Sequence, residues 1–286
     1  MLYTMKDLLS VAQRHHFGVG AFNIASAEFG RLAVETAEKL DSPLILEIHP
    51  DEMAFTGPEF IGYLRTLAIQ ARVPVVIHLD HGRTIEEVMK AIYAGFTSVM
   101  IDASAHPFEQ NIELTRKVVE IAHAINVSVE AELGTIGVAE GSGEGGSNEI
   151  LYTDPQQAET FVRETGTDTL AVAIGTSHGL YPKGKQPELD IERLQQIRNV
   201  VKIPLVLHGG SGNKDNEVAE AIRYGVGKIN ISSDMKKAFF VALERELKQG
   251  GHEPNALFLK PMQAASDVVA AKMALFNSVD KAALYR

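Results

Sequence analysis

The sequence predicts a closed (β/α)8 barrel, an α/β fold. Short apolar segments alternate with amphipathic segments along the 286 residues, in eight successive pairs. Such alternation is typical of a parallel sheet that is buried on both faces, and the chain length fits eight units closed into a barrel. The alternative is an open doubly wound sheet. It is disfavoured because Asn23-Ile24-Ala25-Ser26, rather than a glycine-rich dinucleotide-binding turn, follows the first predicted strand.

The predicted units follow one another without an evident domain boundary, so residues 1–286 are expected to form a single barrel domain. The predicted strands cover 18–24, 43–48, 73–79, 98–101, 127–133, 169–174, 204–207 and 228–231. The helices that follow them cover 27–39, 58–70, 84–94, 108–125, 155–165, 190–198, 216–224 and 234–248. An extra N-terminal helix, which Thr4 and Asp7 can cap, precedes the first strand, and a C-terminal helical segment begins at Pro254.

The composition is that of a soluble globular protein, with 45% hydrophobic and 22% charged residues. The net charge of -10 argues against a nucleic-acid or membrane-surface partner. There is no cysteine, so a metal would have to bind histidines and carboxylates. No basic-then-apolar leader is evident, and no apolar stretch approaches about 18 residues. A cytoplasmic location is therefore expected.

Three histidines stand at equivalent places in the pattern. His81, His178 and His208 each fall at or just beyond the C-terminal end of a predicted strand. In barrels of this kind the active site lies at that face. Three neutral imidazoles with one open position form a catalytic zinc arrangement. The alternative is three separate pocket or core histidines, and the residues alone leave the choice open.

Carboxylates occur at the same face. Asp80 adjoins His81, Asp102 ends the fourth strand and Glu132 lies late in the fifth. Asp80 can act as a ligand, a partner of a ligand or an acid, with a pKa set by burial and by neighbouring charge. Asp102 can instead cap the next helix. His49 follows the second strand and so belongs to this face as well.

Two loops have the composition of a phosphate site. Gly209, Gly210 and Ser211 follow the seventh strand, and residues 230–234 follow the eighth strand and open a helix. Backbone N–H groups at such turns bind anions, and these two loops are the recurrent phosphate position in barrels. A metal beside a bound phosphate suggests polarisation of a carbonyl or stabilisation of an enolate. A long glycine-rich loop, residues 134–153, faces the same side.

The chain resembles the class II, zinc-dependent ketose-phosphate aldolases, nearest to the tagatose- and fructose-bisphosphate aldolase branch. The resemblance is specific because the family's motifs occur in family order over nearly the whole chain. They are Gly20-Ala21-Phe22-Asn23, Leu79-Asp80-His81, Met100-Ile101-Asp102, Glu130-Ala131-Glu132-Leu133-Gly134, Ala173-Ile174-Gly175-Thr176-Ser177-His178-Gly179, Leu207-His208-Gly209-Gly210-Ser211-Gly212 and Lys228-Ile229-Asn230-Ile231.

The resemblance implies a role for each matching position. It makes His81, His178 and His208 the zinc ligands, Asp80 the group that exchanges a proton with the aldehyde oxygen, and Asp102 and Glu132 an alternative or second metal position. The acid/base on the mobile loop falls on Glu140 by counting from Glu132, with Glu144 as the next candidate. Substrate-binding positions are Asn23, which helps to position the substrate, and Gly179, Gly209, Gly210, Ser211, Asn230, Ile231, Ser232 and Ser233. A monovalent cation (Na+ or K+) can also bind at the dihydroxyacetone-phosphate site that the resemblance implies.

Two positions depart from the branch pattern. His49 stands where a serine or threonine is expected, and Asn255 stands where the branch has an arginine that reaches in from a neighbouring subunit. The loss of arginine removes a bidentate phosphate clamp. The resemblance therefore implies cleavage of a ketose 1-phosphate to dihydroxyacetone phosphate and an aldehyde whose far end is neutral or carries a carboxylate, by a homodimer or homotetramer.

Three alternatives stay open at this stage. One is a tagatose- or fructose-1,6-bisphosphate aldolase, and another is a metal-dependent epimerase or isomerase of sugar phosphates. The third is a non-catalytic aldolase-like subunit, which is disfavoured because the three histidines and Asp80 are all present.

Overall fold

The computed structural model describes residues 1–138, 150–179 and 188–286, and within them eight parallel strands close into a barrel. The strands in chain order are β1 (Val19–Asn23), β2 (Leu44–Ile48), β3 (Val75–Gly82), β4 (Ser98–Ile101), β5 (Ser128–Leu133), β6 (Gly137–Val138), β7 (Thr169–Val172), β8 (Ser177–His178), β9 (Leu205–Leu207) and β10 (Val226–Ile231). The barrel order is β1-β10-β9-β7-β5-β4-β3-β2, while β6 and β8 form a separate two-stranded sheet. Because β1 pairs with both β2 and β10, the prediction of a closed barrel is confirmed and the open sheet is wrong.

The helices lie between the barrel strands, as the alternation predicts. They are α1 (Met5–Arg14), α2 (Ala27–Lys39), α3 (Pro50–Thr56), α4 (Pro58–Gln70), α5 (Ile85–Ala94), α6 (Phe108–His123), α7 (Pro155–Thr165), α8 (Ile191–Val200), α9 (Asp215–Arg223), α10 (Ser233–Leu247), α11 (Pro254–Leu257) and α12 (Leu259–Leu275), with a 3-10 turn at Ala282–Tyr285. None of the helices in the described ranges has the length and apolar character needed to span a bilayer.

The short helix α3 was not expected from the sequence pattern. His49 is its N-cap, Pro50 occupies the first turn, and Gly57, with φ of 79°, ends it. Proline in the first turn is favourable because its missing N–H would have had no partner there. At seven residues, α3 is too short to show an apolar repeat, so its caps were the only local signal.

The extra N-terminal helix α1 covers one end of the barrel. Thr4 caps it by accepting a hydrogen bond from the Asp7 N–H at 3.2 Å, as predicted. Its apolar face packs with residues that begin the strands, such as Val19 and Val76. The amino-terminal end of the barrel is therefore closed, and the carboxyl end is left for the site.

Candidate metal centre and active site

Asp80 and His81 both face the carboxyl end of the barrel because β3 is irregular there. In a regular strand, consecutive side chains point to opposite faces. Here the register with β4 shifts between Leu79 and Gly82, and His81 has φ of 47°. A positive φ is unfavourable for a non-glycine residue, and residues in this conformation are concentrated at functional sites. Both side chains are buried, with Asp80 Oδ1 3.7 Å from His81 Nε2.

The three histidines at the strand ends form one cluster. His81 belongs to β3, His178 to β8, and His208 directly follows β9; all three are buried. A ring nitrogen of each lies within 4.8 Å of the others. The ring centroid of His81 is 4.9 Å from that of His178 and 4.6 Å from that of His208. They are therefore not three separate pocket histidines.

Neighbouring carboxylates set the tautomers of two of these rings. His81 Nδ1 lies 2.8 Å from Asp102 Oδ2, and His208 Nε2 lies 2.7 Å from Glu130 Oε1. Because a carboxylate accepts, each of these nitrogens carries the proton, and in the neutral ring the other nitrogen keeps a lone pair. Those other nitrogens, His81 Nε2 and His208 Nδ1, face each other at 2.8 Å.

Two facing lone pairs need a cation or a proton between them. Three buried imidazoles, two of them oriented by carboxylates, are the donor set that zinc prefers in catalytic sites. Burial first, and then the positive charge nearby, lower the pKa of His208 to about 4, so this ring is neutral and able to ligate at pH 7. The residues present therefore fit a zinc ion.

Asp80 is held as a carboxylate beside this cluster. Burial by itself would raise its pKa, but positive charge at His81 and Lys228 outweighs burial and lowers the pKa of Asp80. Asn23 Nδ2 donates to Asp80 Oδ2 at 2.9 Å, and Asn230 Nδ2 lies 3.3 Å from Asp80 Oδ1. An ionised and oriented carboxylate of this kind is equipped to accept a proton.

A second group of possible ligands shares one histidine with the first. Ligand atoms of His81, Asp102 and Glu132 lie within 4.8 Å of one another. Burial, and then the negative charge of Asp102, raise the pKa of Glu132 well above its usual range. Among the described residues, Glu132 Oε2 is buried without a hydrogen-bond partner. Asp102 does not cap α6; it accepts from the Ser104 N–H at 3.1 Å and contacts His81.

The loops that carry the predicted phosphate site pack against each other. Gly209 has φ of 61°, and a Cβ there would lie 2.5 Å from the Ser177 carbonyl oxygen. Glycine is therefore required for the loop after β9 to approach β8 this closely. The Gly210 N–H donates to the Asn230 carbonyl oxygen at 3.0 Å. The loop after β9 thus lies between β8 and the end of β10.

Ser211 joins this assembly to the start of α10. Its Oγ lies 3.3 Å from the backbone nitrogens of Ser232 and Asp234. Ser232 Oγ is buried and has no hydrogen-bond partner in the part of the chain that the structure describes. A helix start with serine hydroxyls and glycine backbone is suited to an anion. The other positions named for substrate binding lie on the same loops and strand ends: Gly179, Ile231 and Ser233.

The two departures from the branch pattern lie in different places. His49 is buried at the end of β2, with its ring centroid 6.3 Å from that of His81. Asn255 is exposed on α11 and lines a surface cavity of about 450 Å³ with residues of α2, including Glu28 and Arg31. Of these two residues, His49 is the one that lies beside the histidine cluster of its own chain. The loop candidates Glu140 and Glu144 lie outside the described residues.

Sequence reasoning missed a charged cluster inside the barrel, beneath the histidines. Lys228 Nζ lies 2.6 Å from Glu47 Oε1 and 3.0 Å from Glu130 Oε2, and all three side chains are fully buried. His78 completes the cluster: its Nδ1 lies 2.8 Å from Ser98 Oγ, and burial lowers its pKa to about 3. Burial opposes ionisation of Glu130, but Lys228 and the histidines lower its pKa overall.

Glu130→Gln is expected to weaken zinc binding by about tenfold or more, because the carboxylate that orients His208 loses its charge. The measurement is competition for zinc with a chelator. Glu47→Gln is the matched control: Glu47 pairs with the same lysine, but its carboxylate is not shown bonded to His208. Equal affinity in the wild type and both variants, or an equal loss in both variants, would contradict this role for Glu130.

The closed parallel barrel carries a cluster of imidazoles and carboxylates at its carboxyl end. This combination defines the class of barrel enzymes whose active site can bind a metal ion. Residues 3–281 match the family model for class II fructose-bisphosphate aldolase. The chain is 39% identical to the fructose-bisphosphate aldolase of Thermus caldophilus, over 99% of this chain and 100% of that one. It is 41% identical to the fructose-bisphosphate aldolase of Geobacillus stearothermophilus, over 99% of each chain.

A solved structure agrees with these sequence matches. The crystal structure of the YdjI aldolase from Escherichia coli K12 superposes with a TM-score of 0.86 at 34% identity, covering 99% of this chain and 100% of that one. The chain belongs to the class II fructose-bisphosphate aldolase family. It is thus a carbon–carbon lyase of a family that acts on sugar phosphates and typically depends on zinc.

Proposed function

We propose that this enzyme catalyses the zinc-dependent, reversible aldol cleavage of a ketose 1-phosphate to dihydroxyacetone phosphate and an aldehyde that lacks a distal phosphate. The observation that carries the proposal is the convergence of the three histidines with an ionised Asp80 at the barrel mouth. The phosphate-type loops beside them supply the second requirement, a place for the 1-phosphate.

Zinc would be held by His81, His178 and His208, with Asp102 and Glu132 as an alternative or second position. When bound, zinc supplies a Lewis acid that polarises a carbonyl and stabilises the negative charge of an enediolate. Asp102 and Glu130 orient the ligand rings through the two hydrogen bonds described above. A monovalent cation near the phosphate stays a prediction.

Asp80 would be the proton carrier at the bond that breaks. Its lowered pKa keeps it ionised at neutral pH, so it can accept the C4 hydroxyl proton during cleavage and return it during condensation. Asn23 of β1 and Asn230 of β10 each hold one of the two carboxylate oxygens. A loop glutamate, Glu140 with Glu144 as the other candidate, would exchange the carbon-bound proton of dihydroxyacetone phosphate.

The 1-phosphate would bind where β8, the loop after β9 and the start of α10 come together. The hydroxyl of Ser232 is available there, and the glycines allow a close approach to the backbone. The proposed contacts are Gly179, Gly209, Gly210, Ser211, Asn230, Ile231, Ser232 and Ser233.

The distal end of the substrate is where this chain departs from bisphosphate enzymes. Position 255 carries an amide rather than a guanidinium, so no bidentate clamp for a phosphate is available from it. His49, beside the histidine cluster, suits a hydroxyl or carboxylate oxygen. The alternative, a tagatose- or fructose-1,6-bisphosphate aldolase, is favoured by the names of the relatives.

Cleavage kinetics distinguish these two substrates. We expect kcat/KM for ketose 1-phosphates to exceed that for the matching 1,6-bisphosphates, because a second phosphate would lack a cationic partner from position 255. The comparison needs one pair of sugars that differ only in the distal phosphate. A strong preference for the bisphosphate refutes the substrate proposal but not the aldolase activity.

We also infer that residues 1–286 form one catalytic domain and that the enzyme is a homodimer or homotetramer. A non-catalytic subunit is disfavoured because such proteins lose metal ligands, whereas the histidine cluster here is complete. Chromatography with light scattering tests the oligomeric state.

A further inference from the structure

His49 is bonded in a way that determines which ring nitrogen carries its proton. The Asp51 N–H donates to His49 Nδ1 at 3.2 Å, and Glu52 Oε2 accepts from the His49 N–H at 3.0 Å. Together these two bonds form a capping box at the start of α3. A nitrogen that accepts a hydrogen bond has no proton, so the neutral imidazole carries its proton on Nε2.

The Nε2–H group belongs to a buried side chain near the metal centre, and the helix cap uses only the other ring nitrogen. The His49 side chain is about 5% exposed, and its ring centroid is 6.3 Å from that of His81. The ring therefore offers one neutral donor at the site. A neutral donor suits a hydroxyl or carboxylate oxygen, and it brings no positive charge to offset a phosphate dianion.

A lysine on α10 pairs with the glutamate of this cap. Lys236 of α10 places Nζ 2.6 Å from Glu52 Oε1, and the two side chains are 28% and 13% exposed. The partly buried pair links α3, which follows β2, to α10, which follows β10. Because β1 lies between these two strands, the pair spans one strand of the barrel mouth.

The same helix that carries Lys236 begins at the proposed phosphate site. Ser232 caps α10, and the Lys236 N–H donates to the Ser232 carbonyl oxygen at 3.1 Å. A series of contacts therefore runs from the start of α10, through Lys236 and Glu52, to His49.

We propose that Glu52 and Lys236 are positioning residues that hold His49 as an Nε2–H donor to an oxygen at the distal end of the aldehyde portion. This assignment rests on the proposed aldolase function and deepens it. It makes the substrate class a ketose 1-phosphate with a hydroxyl or carboxylate beyond the breaking bond. The selectivity arises because an aldehyde without that oxygen leaves the buried donor unpaired.

Two variants separate the donor from the helix cap. His49→Asn keeps a side chain that is favourable at an N-cap but removes the imidazole ring and its Nε2–H donor. Lys236→Met removes the charge that fixes Glu52 and keeps most of the stem, while Lys236→Arg restores the charge. Lys260→Met is the matched control, because it removes a lysine–glutamate pair of 2.9 Å near the far end of α10.

The experiment measures condensation of dihydroxyacetone phosphate with two aldehydes of equal length, one hydroxylated and one purely aliphatic. Each rate is divided by the same protein's rate of carbon-bound hydrogen exchange in dihydroxyacetone phosphate alone. That exchange needs no aldehyde, so the division corrects for lost metal or misfolding. We expect the preference for the hydroxylated aldehyde to fall by about three- to tenfold in His49→Asn and Lys236→Met. Lys236→Arg and Lys260→Met should keep it.

The possible failures are distinguishable. A zinc-loaded wild type without exchange or condensation refutes the proposed function itself. An active wild type whose preference survives in His49→Asn, or that shows no preference, overturns only the role of His49. If the preference is lost in His49→Asn but survives in Lys236→Met, only the role of Lys236 is overturned. Nitrogen-15 NMR of the His49 ring is independent of turnover: a proton on Nδ1, directed to the Asp51 carboxylate 3.5 Å away, would contradict the assignment.

Discussion

Replacing His208 with alanine is expected to abolish both zinc binding and aldol cleavage. The ring provides one of three buried nitrogens of the cluster, and it is oriented by Glu130. Two imidazoles would remain, and a catalytic zinc site needs three protein ligands. Without the metal, the negative charge of an enediolate would have no counter-charge of comparable strength. Metal content after dialysis and the cleavage rate are the two measurements, and His81→Ala should behave in the same way.

An exposed histidine provides the control for this experiment. His252 lies in an exposed stretch before α11 and is not part of the cluster. His252→Ala should keep zinc and activity at the level of the wild type. Normal turnover in metal-stripped protein, or full zinc content in His208→Ala, would contradict the assignment of the ligands.

The second large effect is expected for Asp80→Asn. The amide is close in shape to the carboxylate but cannot accept the C4 hydroxyl proton, so cleavage should slow by about 10²- to 10⁴-fold, the usual contribution of a general base. Hydrogen exchange at the carbon of dihydroxyacetone phosphate should be affected much less, because a different acid/base serves it. Stopped assays of both reactions on one zinc-loaded preparation measure the ratio.

Two results would contradict this role for Asp80. Unchanged cleavage would show that another group takes the proton. An equal loss of cleavage and exchange at full zinc content would show that Asp80 maintains the site as a whole, for example through its bonds to Asn23 and Asn230, rather than acting at one step.

The barrel itself could be predicted because each strand and helix carries its own local signal. Apolar runs of strand length alternate with amphipathic helices, and the structure changes the ends of these elements by a few residues only. β3 is the informative exception, since it continues through Asp80 and His81 to Gly82. Strict alternation would have separated these two side chains. The positive φ of His81, which brings both to the mouth, leaves no sign in the residue pattern.

The residues that sequence reasoning missed act through distant partners. Glu47 and Lys228 are each the single charge of their strand, and Glu130 shares β5 with Glu132. Only closure of the barrel brings Glu47, Glu130 and Lys228 together. The link from Lys236 to Glu52 joins residues 184 positions apart, so it has no local signature either. Glu130 belongs to a family motif, but the motif alone gives it no role. Its hydrogen bond to His208 indicates that it orients this ring.

The most direct test of the account is carbon–carbon bond formation by the zinc-loaded enzyme. Dihydroxyacetone phosphate is supplied with glyceraldehyde or with glyceraldehyde 3-phosphate, and the ketose product is identified by NMR. We expect a new carbon–carbon bond with the unphosphorylated aldehyde, formed faster than with the phosphorylated one, and none after zinc is removed. Product formation that persists without metal, or no product from either aldehyde with zinc bound, would contradict it.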